Sequence, residues 1–413
     1  MADKQNSEFD REDSRVRIDA GVGGALRAFI DRIKSGDLGM LPVAVGLMLI
    51  SVVFTSLNPV FLAPINLANL LFDAAAVGLI ALGVVCVLLL GEIDLSIGSM
   101  SGLSSAIVGV LWVNTEVPIV FAICGAVTAG ILVGLLYGFL RNRFEMPSFV
   151  ATLAGLLALL GMQLYILGST GSINLPFTSN MVRFGQLMIM PAWISYSLAL
   201  LPGIAMIYLG LVRTRRRVAA NLSPPSTRVL CTKAIVLTTA LVFAVYYLEQ
   251  GRGVPWMFGV FVLLVAMMDY ALTRTQWGRS MFAVGGNVEA ARRSGINVRR
   301  IRMSAFVLCS AFAALGGVFA AARLASSSIQ AGTGDVNLNA IAAAVIGGTS
   351  LFGGRGSAWS ALLGVLVIVA ISNGLTLLNL SSSLRFMITG AVLAIAVIVD
   401  SLARRSRASA GRA

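Results

Sequence analysis

Residues 70–90 read LLFDAAAVGLIALGVVCVLLL, an apolar run in which Asp73 is the single charged position. A helix needs roughly 20 mainly apolar residues to cross the hydrocarbon layer of a bilayer, so this stretch puts the chain in a membrane. Working outward with the same ruler marks about twelve crossings, within bounds of about 10–14. They fall at 41–57, 70–90, 93–113, 117–140, 148–168, 194–212, 229–248, 255–272, 304–322, 338–352, 357–379 and 385–402. Of 413 residues, 57% are hydrophobic and 12% charged, and mean hydropathy is +0.89, outside the range of a water-soluble domain of this size. The expected fold is all-α: a polytopic membrane protein with a disordered tail at 1–39, a transmembrane region at 40–402 and a basic tail at 403–413.

Basic residues orient the chain. With the N-terminus inside and an even number of crossings, 27 of the 31 Lys and Arg residues fall on the cytoplasmic side. A wrong parity would scramble that asymmetry, so both termini are expected in the cytoplasm. The net charge of +13 then reflects topology and contact with anionic lipid, not nucleic-acid binding.

The absences exclude whole classes of function. There is no histidine, which removes His-based metal sites, Ser-His-Asp triads and His-ligated haem. Lys4, Lys34 and Lys233 are the only lysines and none sits in a G-x-x-x-x-G-K-[ST] context, so the chain has no P-loop. Cys86, Cys124, Cys231 and Cys309 lie at no metal-ligand spacing and imply no disulfide framework. No cofactor and no metal are expected, and no loop assembles an enzyme's nucleophile, base and oxyanion site.

Two stretches carry positive signals. The loop 273–303, TRTQWGRSMFAVGGNVEAARRSGINVRRIRM, holds seven arginines, too many for hydrocarbon. Its middle, 287–295, predicts a short helix with Glu289 in the first turn, a small face from Ala290 and Ala291, and Gly295 as the stop. Such a helix suits a groove on another protein. The run 91–99, GEIDLSIGS, breaks an apolar pattern with two acids, two serines and two glycines. It reads either as an unwound segment lining a translocation path or as helix caps packed inside the bundle. An acid at membrane depth is costly unless it faces a cavity or a partner.

Together GEIDLSIGSMSGL, PSFVATLAGLLAL, the loop 273–303 and LNAIAAAVIGGTSLFGGRGS, with Asn373-Gly374-Leu375 following, resemble the permease subunit of bacterial ABC importers for monosaccharides. The resemblance spans roughly 40–402 in order and spacing. The additional stretch 183–254, and Glu92 where many relatives have glycine, resemble the xylose-type members. This resemblance implies a permease dimer in the inner membrane, a separate ATPase and a periplasmic sugar-binding protein. Its coupling motif E-A-A-x-x-x-G matches Glu289, Ala290, Ala291 and Gly295; the later I-x-L-P is absent, since 305–308 read Ala-Phe-Val-Leu. The expected cargo is a pentose, D-xylose, with ribose, galactose or arabinose as alternatives. Glu92, Asp94, Ser96, Ser99 and Asn373 are the expected path residues. A proton-driven secondary transporter using Glu92 or Asp94 is the competing reading.

Overall fold

The computed structural model describes residues 41–220, 227–381 and part of 383–398. The expected tails 1–39 and 403–413, and much of the expected crossing 385–402, lie outside the described residues. The helices are α1 (Leu41–Leu57), α2 (Pro64–Leu88), α3 (Ile97–Gly109, continued by a π-turn at Val110–Asn114), α4 (Ile119–Arg143), α5 (Ser148–Leu167), α6 (Asn180–Gln186), α7 (Ala192–Ala219) and α8 (Thr227–Glu249). They continue as α9 (Trp256–Arg274), α10 (Gln276–Gly286), α11 (Val288–Arg293), α12 (Val298–Leu324), α13 (Val336–Ile346) and α14 (Ala358–Leu377). Nine helices among the described residues are long and apolar enough to cross a membrane. The chain is an all-α polytopic membrane protein.

Prolines set where several helices begin. Pro118, Pro147, Pro191 and Pro255 stand immediately before α4, α5, α7 and α9, each with extended ψ. A fixed φ and a missing N–H make proline well suited to a position where the helix offers its first amides no carbonyl.

Two compact units divide the chain. One contains Met190–Val254, a hairpin in which Gly203 lies against Thr238 and Gly210 against Leu230, so that α7 and α8 run antiparallel. The other holds the remaining described helices. Its centre is α2, buried along most of its length, with α12, α14 and α13 packed around it. Helix α12 also lies against α4, where an added Cβ on Gly134 would sit 2.5 Å from the Phe306 carbonyl oxygen. Only glycine lets the two backbones approach this closely, the small-residue contact typical of membrane helices.

The expected crossing at 338–352 is corrected. Helix α13 has 11 residues, about half the length a bilayer requires at 1.5 Å per residue. The chain before it is a three-residue strand followed by turns. Strand β1 (Ser172–Asn174) pairs antiparallel with β2 (Ser326–Ser328), and the Ser327 hydroxyl donates to the Ser105 carbonyl near the far end of α3. The Gln163 amide then donates to the carbonyls of Ser328 and Ala331, and the Gly98 N–H donates to Asn337 Oδ1 at the start of α3. Beyond α13, the Gly354 N–H reaches the Leu89 carbonyl at 2.9 Å. The chain thus passes beside α3 from its last turn to beyond its first. The non-helical backbone here is held by hydrogen bonds to its neighbours, with Ser327 buried while Ile329 and Gln330 are exposed.

Candidate functional site

Helix α11 is built by its caps. Asn287 Oδ1 accepts the Ala290 N–H at 2.9 Å, satisfying an amide that has no carbonyl within the helix. At the other end Gly295 takes φ +81°. The Ile296 N–H donates to the Ala291 carbonyl and the Gly295 N–H to the Arg292 carbonyl, the paired bonds of a Schellman ending. The expected shared face of Ala290 and Ala291 divides: Ala291 is buried while Ala290 is exposed. Successive helical residues point about 100° apart, so adjacent positions rarely share a face. Ala291 anchors the helix, and Glu289 and Ala290 form its free side. Glu289 meets Arg292 at 3.0 Å with both side chains more than half exposed, a pair of little energetic weight.

The link between α2 and α3, residues 89–96, is non-helical and tightly held. Ser148 Oγ accepts the Ile93 N–H at 3.2 Å, and Thr152 Oγ1 accepts the Leu95 N–H at 3.1 Å. These hydroxyls stand four residues apart on α5, one above the other, so they receive alternate amides of the non-helical link. Asp94 turns back on its own backbone: Oδ1 accepts both the Ser96 N–H at 2.8 Å and the Ser96 hydroxyl at 2.7 Å. This Asx turn starts α3.

Glu92 points elsewhere. Its Oε1 accepts from Arg141 Nε at 2.8 Å, and Arg302 Nε lies 3.5 Å away. The Glu92 side chain is 8% exposed and the Arg302 side chain 17%. The expected path residues therefore separate into three places. Asp94, Ser96 and Ser99 share the buried start of α3. Glu92 belongs to an arginine cluster. Asn373, on α14, exchanges side-chain hydrogen bonds with Asn66 of α2 at 2.8 and 3.1 Å.

Sequence reasoning missed Arg141, Arg302, Ser148 and Thr152. The hydroxyl pair in PSFVAT carries a usable signal, because an i, i+4 pair of small hydroxyls at a helix start accepts amides from a neighbouring segment. The arginines carry none, since they read as ordinary basic flanks.

Residues 66–397 match the family model described as "Branched-chain amino acid transport system / permease component". The chain is 34% identical over 380 residues to the xylose transport system permease protein of Escherichia coli (strain K12), covering 90% of this chain and 94% of that protein. It is 31% identical over 375 residues to the xylose transport system permease protein of Haemophilus influenzae, covering 89% and 98%. It is also 31% identical over 360 residues to the ribose import permease protein of E. coli (strain K12), covering 86% and 92%. No solved structure matches the chain. Full-length similarity at this level, on a bundle of membrane-length helices, means that the chain belongs to the branched-chain amino acid transport system / permease component family, among its xylose- and ribose-type ABC permeases.

Proposed function

We propose that this chain is the membrane-spanning permease subunit of an ATP-driven importer that carries D-xylose across the inner membrane. The observation that carries the reading is α11, a capped surface helix held by Ala291 with Glu289 and Ala290 left free. The missing P-loop requires a motor on another chain, and α11 has the form to meet one. Similarity to two xylose permeases supports the choice of sugar.

In this reading, the ATPase docks on the loop 273–303 through Glu289, Ala290, Ala291 and Gly295, on the cytoplasmic side with both termini. A periplasmic sugar-binding protein delivers cargo to the opposite face, and a second copy of the permease completes the path amid membrane lipid. Asp94, Ser96 and Ser99 line or shape that path. ATP binding closes the motor and shifts the permease between inward- and outward-facing states. The proton-driven alternative loses support at Glu92, whose carboxylate lies 2.8 Å from Arg141 and 3.5 Å from Arg302 in ion pairs.

Reconstitution into proteoliposomes with the ATPase and a xylose-binding protein tests this. D-xylose uptake should require ATP and all three proteins. Uptake by this chain alone under a pH gradient would overturn the assignment.

A further inference from the structure

The cluster of Glu92, Arg141 and Arg302 joins three segments distant in sequence. Arg141 lies in the last turn of α4 and Arg302 near the start of α12. Helix α12 begins just beyond the turn at Gly295 that ends α11, so whatever displaces α11 acts first on the base of α12. That base is firmly held. Asn297 Oδ1 accepts the Arg300 N–H at 3.1 Å, the Asn142 side chain donates to the Arg299 carbonyl at 2.9 Å, and Trp277 Nε1 of α10 donates to Ser304 Oγ at 2.8 Å.

The 89–96 link touches the same assembly at two points. Besides Glu92 on Arg302 and Arg141, the Leu89 carbonyl accepts from Gly354 N–H and lies where a Cβ on Gly285 of α10 would collide. At its other end the link becomes the Asp94–Ser96 turn that starts α3. The ionic contact is also better shielded than the exposed Glu289–Arg292 pair, so water and salt screen it less.

We propose that Glu92 is a positioning residue for energy coupling: the Glu92–Arg141–Arg302 cluster is a strut carrying displacement of α11 into the 89–96 link and the start of α3. The proposal rests on the ATP-driven reading above. Removing the carboxylate takes the nearest counter-charge from two adjacent guanidinium groups and leaves, among the described residues, only Glu145 facing them, which loosens the link from α12 and separates hydrolysis from transport.

The test uses the full complex of permease, ATPase and binding protein in proteoliposomes, measuring sugar moved per ATP hydrolysed. Glu92→Gln should lower that ratio by at least roughly fivefold, the lower end of coupling between distant sites, and Glu92→Asp should recover part of it. The double variant Glu92→Gln/Arg302→Gln removes one unpaired charge and separates the strut from a purely folding role. A strut predicts that membrane abundance recovers in the double while the transport ratio stays low. A normal ratio in Glu92→Gln, or abundance and ratio recovering together in the double, would overturn the proposal, as would failure of every variant to accumulate. Absence of ATP-dependent uptake in the unaltered complex would instead count against the importer assignment.

Discussion

At position 295 the obstacle to any other residue is the backbone, not space. Gly295 has φ +81° with no heavy atom within 4 Å of where a Cβ would stand. A non-glycine residue in a left-handed conformation costs roughly 1–2 kcal/mol, and a β-branched one more. Gly295→Val should therefore spare membrane insertion yet reduce both ATPase retention and sugar uptake, with Gly295→Ala intermediate. Normal uptake by both variants at normal abundance would show that the end of α11 needs no defined geometry. Asp94 permits a sharper separation of roles. Asparagine keeps the oxygen that accepts from Ser96, whereas leucine removes the acceptor altogether. Asp94→Asn should match the native chain in thermal stability, while Asp94→Leu should lose about 1–3 kcal/mol through the unpaired Ser96 amide. If Asp94→Asn folds normally but uptake falls, the carboxyl serves transport beyond its role in the turn. The end of α11 at Gly295 was legible in sequence because a Schellman glycine acts within a few residues. The partners of Glu92 were not, because Arg141 is 49 positions away and Arg302 lies on a different helix again.

Helix pairs show where apolar periodicity stops informing. Helices α4 and α12 approach through Gly134, and Gly134→Leu should force the backbones apart at roughly 1–3 kcal/mol, seen as lowered abundance and an earlier thermal transition in detergent. Helices α2 and α14 are joined by the reciprocal amides of Asn66 and Asn373. A double-mutant cycle of Asn66→Leu and Asn373→Leu should return an interaction of about 0.6 kcal/mol, typical of polar pairs between membrane helices. Additive losses would mean that Asn373 serves something other than its partner. Most helices could be read from length and composition alone, since each segment must satisfy its own backbone inside a bilayer. Helix α13 could not. Its continuation reads as apolar, yet positive φ at Gly348, Gly353 and Gly354 ends the helix and bends the chain toward Leu89. Whether a small-residue run continues a helix or turns depends on what it packs against.

For the whole molecule, the hairpin Met190–Val254 offers a clean excision. Its flanks already meet outside it: Ile189 pairs with Pro255, and the Trp256 N–H donates to the Met188 carbonyl at 3.2 Å. Replacing 190–254 with a short turn removes two membrane-length helices, an even number, so every later segment keeps its side of the membrane. Reporter fusions at the loop 273–303 should give the same side before and after excision, and the shortened chain should still accumulate. A reversed reporter would mean that α7 and α8 do not both cross. The sequence by itself determined the membrane class, the glycine stop of α11 and the family. The first follows from composition, since hydrocarbon demands apolar length, the second from local contacts, and the family from the resemblance of its motifs. Only the tertiary structure decided that α13 has 11 residues, that Asn373 answers Asn66, and that Glu92 joins two arginines rather than Asp94 and Ser96. Those outcomes depend on which helix lies beside which, and in a membrane that choice rests on close packing and a few buried polar contacts, which uniformly apolar sequences record only faintly.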